Sequence, residues 1–267
     1  MPGSKREREL ARRRYERRQA QRVEVRHRHR RRNTIIALVA LVVGGGGGAA
    51  AAVLAGGGGT DKVTTASPTP TPSAAAAAVA CGGSKPAAPK KLSWPKEPPM
   101  SIDTAKTYAM TLDTSCGQIT VALDAKQAPH TVNALNFLAG KGFYDGTFCH
   151  RETSSATLTV LQCGDPTGTG EGGPGFTLPE ENLKGATYGR GVVAMAKTSA
   201  PHSTGSQFFL VDKDSQLPPQ YTVVGHITKG LDVLDKIMKI GLNPVNGPGD
   251  GAPKAKVYLD HVTVTAT

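Results

Sequence analysis

Of the 267 residues, 32 are Lys or Arg and 21 are Asp or Glu, but fourteen of the basic residues fall in positions 1–33 against four Glu, so that arm holds ten of the eleven net positive charges. The rest of the chain is close to neutral, which excludes a nucleic-acid-binding stripe spread over a folded body. The length allows one or two domains.

From Asn33 to Thr60 no side chain is charged, and within that gap residues 35–55, IIALVALVVGGGGGAAAAVLA, match the roughly 20 residues a helix needs to cross a bilayer core. Five consecutive glycines weaken it as a helix. The run RHRHRRR stands on its N-terminal side and only Asp61 and Lys62 follow soon after, so the positive-inside bias predicts residue 1 in the cytoplasm and the C-terminal part outside. The expectation is therefore an uncleaved, single-pass anchor over residues 34–60, in contact with membrane lipid, with an extracytoplasmic domain beyond it. A cleaved signal peptide is the rival reading, but the charged region is long for a signal and AAAAAVAC lies far beyond the apolar core. The basic arm, residues 1–33, orients the span and touches anionic lipid, with no specific nucleic acid expected.

Residues 61–104 include TTASPTPTPSAAAAAVACGGSKPAAPKKLSWPKEPPMS, rich in Pro, Ala and Ser and poor in large apolar side chains. Such a segment buries too little surface to offset its ordering entropy, which predicts an extended, semi-rigid spacer. A single compact domain then runs over residues 105–267.

Its first two segments alternate Tyr108, Met110, Leu112 and then Ile119, Val121, Leu123 around SCG, the pattern of a half-buried hairpin. APHTVNALNFLAGKG follows as a helix, with Pro129 near its first position, Val132, Leu135 and Leu138 on one face, and Gly140 or Gly142 at its end. Further strands are predicted over 147–152, 157–162, 191–196, 207–212 and 221–227. A second helix, LDVLDKIMKI, sets Leu231, Leu234, Ile237 and Met238 at helical spacing, and KVYLDHVTVTA closes the chain as a strand. Many short strands with two helices and no alternation of strand and helix predict a mainly β fold, a closed antiparallel barrel with helices over its ends.

The series CHRE, LQCGDPTGTGEGGPGF, GVVAMAK, STGSQFFLV and LPPQYTVVG, in that order and spacing, resembles the cyclophilin-type peptidyl-prolyl isomerases, in the style of their bacterial extracytoplasmic members. The resemblance covers nearly all of the folded part. It implies an eight-stranded barrel capped by two helices, with an active groove on the outer surface.

Such a reaction needs no nucleophile, metal or cofactor. Rotation about an X-Pro bond meets a barrier of about 20 kcal/mol because the nitrogen lone pair is delocalised into the carbonyl. In the twisted transition state the pair returns to nitrogen, and a donor aimed there binds more strongly than in either planar state. A guanidinium stays charged and presents a rigid fork, so Arg151 is the expected catalytic residue. By motif position, Phe209, Leu217 and Val160 line a slot for the proline ring and Gln162 orients Arg151. Ala196 and Lys197 pair with the peptide backbone, Gln207 bonds nearby and Tyr221 stands where His is frequent. The aromatic usual in the family's pocket falls on Thr159, unless Leu158 swings in. The reading is an isomerase of proline-containing, exported clients, acting as a monomer. Its rival is a catalytically weak peptide-binding or chaperone module, which Thr159 would favour.

Cys81, Cys116, Cys149 and Cys163 all lie on the predicted outer side, where disulfides persist. Four cysteines allow three connectivities. A hairpin of 147–152 with 157–162 brings Cys149 near Cys163, which favours that bridge and leaves Cys81 with Cys116. The spacing of Cys149, His150 and Cys163 fits no zinc pattern, so no metal is expected.

Overall fold

The computed structural model describes residues 78–267. The basic arm, the span at 34–60 and the first part of the predicted spacer lie outside the described residues, and no helix among the described ones is long and apolar enough to cross a membrane.

Strands β1 (Tyr108–Thr114) and β2 (Gly117–Leu123) form the expected hairpin, in register from Tyr108 opposite Leu123 to Thr114 opposite Gly117. The two-residue turn works because Gly117 takes a φ of +131°, which other residues rarely adopt, and the Thr114 hydroxyl donates to the Gly117 carbonyl at 2.6 Å. Helix α1 (Pro129–Gly140) begins on its proline. Its free first-turn amides are met from a distant loop: the amides of His130 and Thr131 donate to the Glu181 carboxylate at 3.1 and 2.9 Å, which also suits the helix dipole. Val132, Leu135 and Leu138 are buried as the periodicity required.

Next come β3 (Thr147–Phe148), β4 (Arg151–Ser154), β5 (Thr159–Cys163), β6 (Val192–Met195), β7 (Phe208–Lys213) and β8 (Val223–Lys229). Helix α2 (Leu231–Met238) buries Leu234 and Ile237. Then follow β9 (Leu242–Gly247), β10 (Asp250–Pro253) and β11 (Tyr258–Ala266). The β9 and β10 hairpin is absent from the sequence reading.

All pairings between these strands are antiparallel, in the order β3, β11, β1, β2, β8, β6, β7, β5, β4, β10, β9. Because β3 and β4 are two pieces of one strand interrupted at Cys149 and His150, a ladder that starts at β3 and reaches β4 returns to its origin. The sheet is thus an eight-stranded barrel, with the β9 and β10 hairpin added on β4 outside the closure. Its interior is filled by Met110, Leu112, Ile119, Leu161, Met195, Phe208 and Leu210. A second, smaller apolar cluster lies on the outer face and contains Val160, Val192, Ala194, Phe209 and Val211. Strands β6 and β7 read as almost continuous apolar runs for this reason, since both faces are covered.

Residues 78–104 depart from the spacer expectation. Apart from a 3-10 turn at Ala80–Gly82 they have little regular structure, and they form a strap laid on the barrel. The Ala80 amide donates to the Lys256 carbonyl and the Lys256 amide to that of Ala78, at 2.9 and 2.8 Å. Cys81 is bonded to Cys116 in the turn between β1 and β2. The Trp94 amide donates to the Pro174 carbonyl at 2.8 Å, and its ring packs edge-on against Phe137 in α1 with centroids 5.0 Å apart. The Asn133 side chain donates to the carbonyls of Pro98 and Pro99 and accepts from the Ser101 amide. Composition weighed the few large apolar residues here; a covalent staple and satisfied backbone groups supply the hold instead.

Candidate active site

Arg151 opens β4 and stands opposite Gln162 of β5. In a strand, alternate residues share a face, so Leu158, Val160 and Gln162 point outward with Arg151 while Leu161 and Cys163 turn into the barrel. The neighbouring β7 sends Phe209 outward between Phe208 and Leu210, which point in. The outcome is a concave slot lined by Arg151, Leu158, Val160, Gln162, Ala196, Lys197, Phe209, Leu217 and Tyr221.

Thr159 is not among them. Its amide donates to the Ser215 hydroxyl at 3.1 Å and its own hydroxyl to the Ser155 carbonyl at 3.2 Å. It has the opposite parity to Val160 and Gln162, so the pleat turns it away and puts Leu158 at the wall where the resemblance placed an aromatic. Leu158 thus gives the slot an aliphatic wall at the place expected of Thr159.

A chain of side-chain hydrogen bonds crosses the rim. Arg151 Nη1 donates to Gln162 Oε1 at 3.0 Å, and Gln162 Nε2 to Gln207 Oε1 at 2.9 Å. Gln207 Nε2 donates in turn to the carbonyls of Gly170 and Gly172, at 3.1 and 2.9 Å. Gln207 lies in the adjoining groove rather than in the slot. At the other end, Arg151 Nε and Nη2 donate to the two carboxylate oxygens of Asp250 at 2.8 and 2.7 Å. The pair holds the Asp250 carboxyl below the usual range and raises the guanidinium above its ordinary value. Both side chains are about one third exposed, so the ion pair borders the slot and solvent. Asp250 was invisible to sequence reasoning because its hairpin was.

Beneath the slot, Phe209 and Tyr221 meet edge to face with centroids 5.8 Å apart, and buried Tyr188 touches both rings. The Tyr188 hydroxyl donates to the Tyr221 carbonyl and accepts from the Tyr221 amide, at 2.9 and 3.0 Å, which pins the segment carrying Tyr221. Nothing in the local pattern around Tyr188 marked it as part of the floor. Lys197 lines the slot with its stem while its ammonium turns to the Ala200 carbonyl and to Glu180. The Ala196 amide bonds the Gln207 carbonyl at 2.8 Å.

Cys149 and Cys163 are joined across the base of β4 and β5, with α-carbons 4.0 Å apart. The bridge flanks Arg151, and the His150 amide between them donates to the Gln162 carbonyl at 3.1 Å. Burial lowers the basicity of the His150 ring, whose two nitrogens find no partner among the described residues. The described residues contain no cluster of three His, Cys, Asp or Glu placed to ligate a metal.

A positively charged donor on the wall of an apolar slot beside a peptide-sized groove suits recognition of a proline ring. The comparisons with known proteins agree with that geometry. The chain is 42% identical over 192 residues to the probable peptidyl-prolyl cis-trans isomerase B of Mycobacterium leprae and 40% identical over 188 residues to that of Mycobacterium tuberculosis. Each match takes in 66% of this chain, but it spans only 64% and 60% of those two proteins. Among solved structures, a cyclophilin type peptidyl-prolyl cis-trans isomerase of Cryptosporidium parvum shares the fold with a TM-score of 0.52 at 22% identity, over 60% of this chain and 99% of that one. The family described as cyclophilin type peptidyl-prolyl cis-trans isomerase matches residues 109–264, a range that takes in β1 to β11 almost entire and every residue of the slot. The chain belongs to the cyclophilin-type peptidyl-prolyl cis-trans isomerase family.

Proposed function

We propose that this chain isomerises X-Pro bonds in exported or cell-envelope proteins. The observation that carries this reading is the position of Arg151 on the slot wall with part of its donor set free. Of five guanidinium N–H groups, three are engaged by Asp250 and Gln162 among the described residues, which leaves one on each terminal nitrogen for a ligand. A proline ring seated over Phe209 between Leu158, Val160 and Leu217 brings the imide nitrogen within reach of that wall. As the amide twists, the nitrogen regains its lone pair and the fixed cation interacts with it more strongly than with the planar ground state. Slow proline isomerisation limits the folding of many proteins, which gives the activity its use. The full-length chain is expected to accelerate the cis-to-trans step of an Ala-Pro-Phe peptide well above the uncatalysed rate. A parent protein at the uncatalysed rate that still binds the peptide would leave a binding or chaperone module on the same fold.

The same reading places residues 34–60 in the membrane with residue 1 in the cytoplasm and the barrel outside, acting as a monomer on proline-containing polypeptides. It is supported by the uncharged stretch behind RHRHRRR and by the use of Cys81, Cys116, Cys149 and Cys163 in two disulfides, which suits an oxidising compartment. A reporter enzyme active only outside the cytoplasm, fused after Thr267, is expected to be active. Activity confined to a cytoplasmic reporter at that position would reverse the orientation.

A further inference from the structure

We infer that Asp250 is the positioning residue for Arg151 and that the β9 and β10 hairpin exists at this site to hold it there. This rests on the isomerase reading and adds to it a residue outside the slot.

β10 pairs with β4 so that Asp250 stands opposite Thr153 and Gly251 opposite Glu152. The Ser154 amide donates to the Gly249 carbonyl at 2.8 Å. The approach is close: at Gly249, whose φ is +70°, a β-carbon would lie 2.6 Å from the Ser154 carbonyl oxygen, and at Gly251 it would collide with the Asn243 carbonyl. Glycine at 249 thus lets the hairpin lie flush on the strand that carries Arg151, and glycine at 251 lets β10 close on β9. The carboxylate is held as well as the backbone, because Asn246 Nδ2 donates to its Oδ1 at 3.1 Å.

The consequence for Arg151 is geometric. Two parallel hydrogen bonds from Nε and Nη2 to one carboxylate fix the plane of a guanidinium, which a single bond does not. Gln162 takes one bond on Nη1 from the opposite side. Without Asp250 the long side chain would be tethered at that one point. With it, the remaining N–H groups have one direction. The carboxylate also offsets part of the positive charge, so its contribution lies in aim rather than in field strength. Aim is what catalysis by a prearranged donor depends on.

A merely structural aspartate would stabilise the hairpin and nothing more, and a double-mutant cycle separates the two cases. The full-length chain and its Asp250→Ala, Asp250→Asn, Arg151→Ala and Arg151→Ala/Asp250→Ala variants are compared for kcat and KM on a proline peptide, with thermal midpoints alongside. Asp250→Ala is expected to lower kcat about tenfold with KM within about twofold, since it removes positioning and leaves the slot intact. Asp250→Asn retains one acceptor and should fall between the two. In the Arg151→Ala background, Asp250→Ala should cost no further rate. An unchanged kcat in Asp250→Ala, or the same fold loss with and without Arg151, overturns the inference.

A second measurement does not depend on turnover. The Arg151 Nε–Hε signal in NMR should be sharp and slow to exchange in the parent and broadened or lost in both Asp250 variants. An unaltered signal would also overturn the inference. A parent chain with no activity above the uncatalysed rate would instead overturn the proposed function, and the catalytic meaning of this pairing with it.

Discussion

The hairpin that presents Arg151 and the strap of residues 78–104 are each closed by a disulfide, yet they are held by different means. β4 and β5 pair in register over Arg151, Glu152, Thr153 and Ser154, and the Cys149 and Cys163 bridge ties the end of that pairing next to Arg151. The strap has almost no regular structure and lies outside the family match, which begins at residue 109. It is held at separated points: Lys256 and Cys116 at one end, Pro174 and Phe137 through Trp94, and Asn133 near residue 100. The contrast shows that a proline-rich chain need not be a free spacer when a covalent bond brings it next to groups that satisfy its backbone. It also separates two tasks, since the first hairpin aims a side chain while the strap braces α1 and Pro174, which lies in the wall of the groove beside the slot.

The sharpest test of that contrast removes the bridges one at a time. Cys81 and Cys116 are 35 residues apart and Cys149 and Cys163 are 14 apart. On a chain-entropy account, replacing the first pair by Ser should cost about 4 kcal/mol of stability and the second about 3 kcal/mol. Activity should follow the opposite order. Cys149→Ser/Cys163→Ser loosens the strand carrying Arg151 and should lower kcat, whereas Cys81→Ser/Cys116→Ser should leave kcat unchanged at temperatures where both variants are folded. Urea unfolding together with isomerisation rates decides the matter. Loss of kcat on opening the strap bridge alone would erase the distinction.

A somewhat smaller effect comes from the inner face of the same strand. Glu152, next to Arg151, is fully buried and neither carboxylate oxygen has a hydrogen-bond partner among the described residues. Burial, aided by nearby Asp212 and opposed by Lys254, pushes its pKa up to about 7 from an ordinary 4.5. The folded state therefore holds this proton more tightly than the unfolded chain. The contribution of Glu152 to stability is greatest below about pH 4.5, falls as pH rises towards 7, and levels off above that. The span amounts to roughly 3 kcal/mol. Glu152→Gln cannot ionise and should gain most of that relative to the parent at pH 8 while gaining little at pH 4, as urea unfolding at the two pH values would register. Parallel pH curves for the two proteins would mean that Glu152 is not neutral in the folded state.

The same two regions show which features the residues disclose in advance. The β1 and β2 hairpin and α2 follow from alternation and helical spacing because each buries one face, and α1 follows from Pro129 and the spacing of Val132, Leu135 and Leu138. The pairing of Cys149 with Cys163 follows from the hairpin between them. Parity along β5 already separates Thr159 from Val160 and Gln162, and motif position overrode it. The β9 and β10 hairpin was illegible for a physical reason: LNPVNGPGDGAP is dominated by turn formers, and Val245, its large apolar residue in midstrand, is 73% exposed. What fixes that hairpin is its pairing with β4, a contact distant in sequence, and Asp250 was missed with it. The strap was misread for the related reason that composition registers apolar surface and not tethering.

On the proposed mechanism Arg151 acts in the transition state rather than in binding. This is tested most directly by measuring kcat and KM for an Ala-Pro-Phe peptide with the full-length chain and with Arg151→Ala. A fall in kcat on the order of a hundredfold or more is expected, the scale for removing a charged donor from a developing lone pair, with KM changed by no more than a few fold. Parent and variant turning over at the same rate above the uncatalysed one, or a loss confined to KM, would contradict that mechanism.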